Sequence, residues 1–410
     1  MKRLLSVLAA LFFFLPIVWA QADTLRLGYT VRGTVVDAFS GKALSSVHVA
    51  VPDRHYATVT NADGVFVIKS NAPIGTLVFS YMGYRTQYQR TGNGDMKVRL
   101  SPEAIDLNAA TVIGADPEEV VRSAVYRIQE NYSATPQLLE CFYRETIQKG
   151  SRYTSISEAV ARMYKNGYRE GFRPDRAALE KSRILMSQRK RDTLSVNVQG
   201  GPTVALSFDV VKNRGLLFDA EELKLYRFQM ETPAYIDDRL QFVISLHPVS
   251  AGSVEYALYH GTLYIDTETL AFSRIELSLD MSDKAKATRA MLIKKPFTLR
   301  FNPRELSFLM TYRPQEDGRY RMSYFRSTIR FGCDWRRRLF QTNYTAVNEL
   351  VVTDVREPAV PITRQEMFRT TDYLTQKAAE FQDPDFWSDY NIIEPSESLE
   401  HAIDRLRKRR

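Results

Sequence analysis

Tyr29-Thr30-Val31-Arg32-Gly33-Thr34-Val35-Val36, running into Asp37-Ala38-Phe39-Ser40-Gly41-Lys42, reads as a strand followed by a turn. Tyr29, Val31 and Val35 share one face, the period-two pattern of a half-buried strand. Gly41 supplies the positive φ that a tight turn favours. The same unit recurs downstream. Val47, Val49 and Val51 alternate with His48 and Ala50, and Thr60-Asn61-Ala62-Asp63-Gly64 turns into Val65-Phe66-Val67-Ile68. Leu77 to Tyr81 follows, then Met96, Val98 and Leu100 alternate with Lys97 and Arg99. About seven strands at roughly 8–12-residue spacing predict a small antiparallel sandwich over residues 29–100.

Four blocks of this region, in order, are Gly33-Thr34-Val35-Val36-Asp37, Ser40-Gly41-Lys42-Ala43-Leu44, Asn61-Ala62-Asp63-Gly64-Val65-Phe66 and Phe79-Ser80-Tyr81-Met82-Gly83-Tyr84. Together they resemble the carboxypeptidase regulatory-like domain. That resemblance implies a transthyretin-like sandwich and a non-catalytic accessory role. Such modules occur in bacterial envelope proteins, including the periplasmic N-termini of TonB-dependent outer-membrane transporters. The signature residues Gly33, Asp37, Gly41, Asp63, Gly64, Tyr81, Gly83 and Tyr84 have structural explanations. Gly41 and Gly64 serve turns, Asp63 is expected to hydrogen-bond the turn backbone, and Tyr81 and Tyr84 flank a bend at Gly83. A ligand site on these turns is the alternative.

Outward from the sandwich, the N-terminus reads as an export signal over residues 1–20. Met1-Lys2-Arg3 precedes the apolar stretch Leu4 to Ala20, and Val18-Trp19-Ala20 suits cleavage after Ala20. No Cys lies near that point to carry a lipid anchor. The expected location is therefore the periplasm or the outer-membrane surface of a Gram-negative cell. Export disfavours nucleic acid as a partner, leaving an outer-membrane protein, a lipid or a glycan. The basic runs Trp335-Arg336-Arg337-Arg338 and Arg405-Leu406-Arg407-Lys408-Arg409-Arg410 suit an anionic surface or simply a solvated helix end and tail.

Composition agrees. The 410 residues are 44% hydrophobic and 25% charged, which fits a folded multidomain chain and excludes whole-chain disorder. Beyond the N-terminus no apolar run reaches the ~20 residues of a spanning helix. With 22 Tyr and 22 Phe, aromatic residues favour strands and broad sheet faces.

Residues 101–115 read as a linker. Asp116-Pro117-Glu118-Glu119 then starts a helix with a cap, a first-turn Pro and a capping box, and Val120, Val121, Ala124, Val125 and Ile128 form its packing stripe. Residues 116–360 are expected to be an α+β domain dominated by antiparallel strands, in an open sheet or half-barrel. Gly261 to Ile265 and Ile275 to Leu279 flank a hairpin turn, while Tyr320, Met322 and Tyr324 alternate in a later strand. The hairpin rhythm is similar to the half-barrel of periplasmic lipoprotein carriers. Lys284 to Arg289 and the Arg-rich C-terminus argue against an outer-membrane barrel. Residues 361–410 read as a helical and aromatic tail. Its Trp387, Tyr390 and Asn391 serve either as a binding platform or as a clamp on the main domain, and Leu399, Ile403 and Leu406 mark a short amphipathic helix. Pro117 to Ala159 and Trp387 to Pro395 also resemble envelope proteins bearing the same N-terminal module, which brings no known reaction.

No catalytic signature accompanies this architecture. His48, His55, His247, His260 and His401 contain no His-Glu-x-x-His or His-x-x-Glu arrangement, so no metal or other cofactor is expected. There is no Gly-x-Ser-x-Gly elbow, and Gly200-Gly201 lacks the Lys-Ser/Thr of a phosphate loop. Carboxylate pairs such as Glu140 with Glu145, or Asp237 with Asp238, are expected to be solvated surface charges. Cys141 and Cys333 either bridge or remain buried thiols. The expectation is a non-catalytic envelope protein, with a lipid or acyl-protein carrier and an envelope hydrolase as alternatives.

Overall fold

A computed structural model describes residues 28–104 except 53, 114–169, 173–187, 189, 198–249, 254–294, 297, 299–335, 341–377, 379–380, 387–388 and 390–408. The expected export signal, most of the linker, Arg336 to Arg338, Asp383 to Phe386 and Arg409-Arg410 lie outside the described residues.

Seven strands form the N-terminal sandwich: β1 (Tyr29–Asp37), β2 (His48–Ala50), β3 (Ala57–Val59), β4 (Val65–Ser70), β5 (Thr76–Ser80), β6 (Gln87–Arg90) and β7 (Met96–Leu100). They make one sheet in the order β4-β1-β7 and a second in the order β3-β2-β5-β6. Val35, Val47, Val49, Phe66, Leu77, Phe79 and Val98 fill the space between them. Two details differ from the sequence reading. β1 pairs with β7 in parallel, so the sandwich is not wholly antiparallel. Tyr29 is half exposed: it pairs with Ser70 of β4, but β7 joins β1 only from Gly33 onward. Gly33 follows from packing: a Cβ there would collide with the Met96 carbonyl oxygen of β7.

The remainder is built on one large sheet, antiparallel along its main path. Its middle consists of β8 (Gln137–Lys149), β9 (Arg152–Lys165) and β10 (Arg176–Met186). One arm holds β11 (Tyr226–Met230), β12 (Ala234–Ile236), β13 (Arg239–Pro248), β14 (Tyr259–Asp266) and β15 (Phe272–Leu279). The longest strands, β16 (Leu299–Pro314), β17 (Tyr320–Trp335) and β18 (Thr342–Arg356), join this arm to β8. The spatial order is β11-β13-β14-β15-β16-β17-β18-β8-β9-β10-β19, where β19 is Met367–Phe368, β12 pairs beside β13, and β20 (Ala379–Glu380) pairs beside β10. The path ends at β11 and β19 without joining them, so the sheet is open. The 361–410 segment is not a mere appendage, since β19 extends the sheet edge.

Both faces of this sheet are covered. The inner face receives α1 (Pro117–Tyr126), α2 (Ile128–Asn131), α3 (Thr203–Ser207) and α4 (Ala220–Leu223), with α5 (Lys284–Met291) at one end. Asp116 caps α1 by accepting from the Glu118 amide, and Val120, Val121 and Ala124 are buried as the stripe requires. Tyr132, Phe218, Phe272, Phe308 and Phe325 occupy the inner face. Stacked pairs Phe218–Phe272 and Phe208–Phe308 have centroids 4.7 and 4.1 Å apart. The outer face receives β3 of the sandwich, Trp387, residues 390–393 and, farther along, α7 (Glu397–Arg407), which follows α6 (Leu374–Lys377). Leu399, Ala402, Ile403 and Leu406 of α7 pack on Ile156 and Leu185.

One alternation read from the sequence breaks. Tyr320 and Met322 face inward, but Tyr324 faces outward with Val351 and Trp387. A register shift between Thr311 and Tyr312 leaves Ser323 as the extra residue on β17, and an extra residue exchanges the faces.

Candidate functional site

The sandwich signature residues serve turns and docking. Asp37 accepts from the Ser40 amide at 2.6 Å, the Phe39 amide at 3.2 Å and the Tyr84 hydroxyl at 3.0 Å. Those bonds, the Ser40 amide foremost, lower its pKa. Gly41 and Gly64 take φ of 69° and 73°. It is Asn61, not Asp63, that holds its turn, accepting from the Asp63 and Val65 amides at 2.9 Å each. Asp63 reaches across to accept from the Glu397 amide at 2.7 Å. Gly83, at φ 77°, donates its amide to the Tyr235 carbonyl of β12 at 2.9 Å, and Tyr81 and Tyr84 flank it with ring centroids 5.3 Å apart. Further bonds fix the sandwich to the chain's end. The Thr58 hydroxyl donates to the Ile392 carbonyl, and Lys69 and Asn391 exchange bonds of 2.7 and 3.0 Å.

Of the carboxylates expected at the surface, Glu140, Glu145 and the half-buried Asp237 are corrected by the fold, while Asp238 is exposed. Glu140 is buried, ion-paired to Arg356. Glu145 is buried on the inner face, accepting from the Tyr143 hydroxyl at 3.2 Å, while its Oε1 has no partner. Burial pushes its pKa up to about 8. Asp237 binds Arg313 and Ser80, and Asp238 accepts from the Thr86 amide at 2.8 Å. These two Asp form a turn that docks the sandwich, and strand alternation alone could not show which turns are covered.

Cys141 and Cys333 are free and buried. Cys141 lies opposite Val352 and Cys333 opposite Thr342, ten positions apart along β18. At about 3.3 Å per residue that is on the order of 30 Å, far beyond a disulfide's reach of ~7 Å. The five histidines are dispersed. His48 sits on β2 beside Arg313 at a small cavity between sandwich and sheet, and His55, His247, His260 and His401 are exposed. Burial, then Arg313 and Arg321, depress the His48 pKa well below its usual value.

Two clusters of buried charge remain, one on each face. On the outer face Glu158 accepts from Arg144 Nε at 2.8 Å, Arg183 Nε at 2.7 Å and Trp387 Nε1 at 3.2 Å. Arg144 also donates to the Ile393 carbonyl at 2.6 Å, and the Arg183 guanidinium lies 5.0 Å from the Trp387 ring centroid. Burial opposes ionisation of Glu158, but the two guanidiniums prevail and lower its pKa. Trp387 is thus part of a clamp, which disposes of the open aromatic platform.

The inner cluster borders a cleft. Lys165, at the end of β9, pairs with Asp209 and with Asp175 at 3.2 Å. Lys212 pairs with Asp175 and donates to the Asn166 carbonyl at 2.9 Å. Asp209 also accepts from Tyr168 at 3.0 Å and Tyr312 at 2.7 Å. Burial lowers the Lys212 pKa; burial acts the same way on Lys165, but its two carboxylates outweigh it and raise the pKa. Asp175 and Lys212 line one wall of a cleft of about 810 Å³ between residues 173–176, α3 with the 206–213 segment, and residues 364–371. Arg173, Arg176, Arg364 and Arg369 line it as well. The sequence reading missed this site because it joins three distant segments; the arginines and threonines of Thr363-Arg364 and Arg369-Thr370-Thr371 were its visible trace.

Residues 31–112 match the CarboxypepD_reg-like domain family. No curated protein sequence matches the chain. Among solved structures, a DUF1329 family protein from Desulfovibrio piger is similar at 9% identity and a TM-score of 0.26, over 61% of this chain and 96% of that one. A LolA superfamily protein from Nitrosomonas europaea is similar at 10% identity and a TM-score of 0.19, over 59% and 97%. Lipovitellin, at 7% identity and a TM-score of 0.25, matches over 63% and 28%. Likenesses at these scores fix neither topology nor ligand.

Proposed function

We propose that this chain is a non-catalytic, exported cell-envelope protein that binds a partner or ligand, with the sandwich held rigidly against the larger sheet. The observation that carries the reading is the mutual neutralisation of the ionisable groups at the cleft. Both oxygens of Asp175 and both of Asp209 are engaged, by two lysines, two tyrosines and the Asn166 amide. A general base or nucleophile needs a free lone pair directed at substrate, and a paired set of this kind supplies structure instead. The module name adds no activity, since fold does not determine reaction. Among the described residues no three His, Cys, Asp or Glu side chains are arranged to hold a metal ion, and no helix is long and apolar enough to cross a membrane.

Binding is favoured over carriage of a lipid in the sheet's trough because aromatic side chains of the chain itself occupy the inner face. Activity profiling of the mature protein against envelope peptides and glycans, with and without chelator, tests the proposal. No turnover is expected. Turnover abolished by Lys212→Gln would establish a hydrolase, and a stoichiometric lipid in organic extracts of gently purified protein would establish a carrier.

A further inference from the structure

The ends of β8, β10, β13 and β15 and the starts of β9, β14 and β16 share one end of the large sheet. The sandwich is held toward the opposite end, at the Asp237-Asp238 turn and Arg313. The connection from β15 to β16 emerges at the first end. Its helix α5 carries Lys284, Lys286 and Arg289, and Ile293, Lys294, Phe297 and Arg300 follow. From Lys284 to Arg300 the sequence holds six Lys or Arg and no Asp or Glu. Lys284 donates to the Pro303 carbonyl at 3.0 Å and Arg289 to the Glu255 carbonyl at 2.9 Å, neutral acceptors that leave the charge in place. Asp283 caps α5 through the Ala285 and Lys286 amides, Asp280 accepts from the Ser282 amide at 2.8 Å, and Glu255 and Asp334 lie on adjoining segments. The surplus is therefore positive.

Ile293 and Phe297 interrupt this basic run and are 74% and 88% exposed. Large apolar side chains left in water and rimmed by charge mark an interaction face. Farther along the same end, Arg152, Arg189 and Arg405 border a cleft of about 340 Å³ beside the C-terminal part of α7. Positive charge is thus spread across a broad end of the molecule instead of converging on one groove. The cores of protein interfaces are depleted of Lys, whereas a bilayer admits single apolar side chains between its headgroups while flanking Lys and Arg meet its phosphates. We infer that this end of the sheet docks on an anionic phospholipid bilayer, with Ile293 and Phe297 entering the headgroup layer and Lys294 and Arg300 contacting its phosphates. The inference rests on the cell-envelope reading above and names the partner.

Co-sedimentation of the full mature protein with phosphatidylglycerol-containing vesicles tests it, with pure phosphatidylcholine vesicles as the control. Partitioning onto the anionic vesicles should exceed the control at least about tenfold, and should weaken between about 0.1 and 1 M salt as the screening length shrinks from about 10 to 3 Å. At about 1 kcal/mol per charge it should fall about fivefold for each cation removed in Lys294→Gln and in Lys294→Gln/Arg300→Gln. Ile293→Ser/Phe297→Ser should lower it at least about tenfold. These four residues are exposed, so the variants should keep the parent's urea midpoint. Lys42→Gln/Lys97→Gln, on exposed positions of the sandwich, should bind as the parent does. Equal binding to both vesicle types, unchanged partitioning in either double variant at this end, or an equal loss in the sandwich variant would each overturn the inference. Self-association without vesicles, abolished by Ile293→Ser/Phe297→Ser, would overturn it in favour of a second copy of the chain. Failure to bind vesicles leaves the non-catalytic reading standing, whereas lipid hydrolysis by bound protein would overturn that reading and leave the docking face in place.

Discussion

Glu145→Gln should stabilise the protein at alkaline pH and cost about 1–3 kcal/mol in acid, where Glu145 is already neutral. Glu145 is 1% exposed, faces Tyr143, Asn348, Ser157 and Ser327 across four strands, and has no cation among these neighbours. Its pKa rises from 4.5 to about 8 on burial. A raised carboxyl pKa means the folded state holds the proton while the unfolded state releases it. Stability from this group is therefore complete below pH 4.5 and is lost as pH rises through 8. At about 1.4 kcal/mol per unit, the loss is on the order of 4 kcal/mol by pH 8. Gln is neutral at every pH and its carbonyl can still accept from the Tyr143 hydroxyl. One extra buried N–H costs about 1–3 kcal/mol, leaving a net gain of about 1–3 kcal/mol at pH 8. Urea midpoints followed by Trp fluorescence at pH 4.5 and pH 8 measure it. A variant equally destabilised at both pH values would show that Glu145 is ionised inside the fold, and the desolvation argument would fail.

Glu158→Gln should do the reverse, costing about 3–5 kcal/mol near neutrality by leaving Arg144 and Arg183 buried without a counter-charge; the wild type should lose that stability as pH falls below 4.5, through the lowered pKa. A loss under 1 kcal/mol in the same urea assay would contradict the clamp. His48, depressed by burial, should make stability decline as pH drops below 6.5, because the unfolded chain takes up the proton first; His48→Gln should flatten that part of the profile. Gly261→Ala should destabilise by roughly 1–3 kcal/mol, since its Cβ would meet the Glu276 carbonyl of the neighbouring strand, and an unchanged melting temperature would refute that close approach. Cys141 and Cys333 should resist a thiol reagent in native protein and react after unfolding; burial raises both pKa values, that of Cys333 to about 11. Rapid native labelling of Cys141 would place it at the surface.

Local sequence by itself determined the elements. Alternating Val47, Val49 and Val51, the turn at Gly64, the Asp116 cap and the Leu399–Ile403–Leu406 stripe each express steric and burial rules that act over a few residues, and each element formed as read. Tertiary structure alone decided which charges were buried and which distant groups met. Glu145 and Glu158 look like ordinary strand polar residues, yet both faces of their sheet are covered by segments far away in sequence. Lys165, Asp209 and Tyr312 come from three separate elements, as do the arginines of the cleft. The reason is range: backbone propensity and alternation are fixed by neighbours along the chain, whereas desolvation and ion pairing depend on whatever the completed fold brings within a few ångströms.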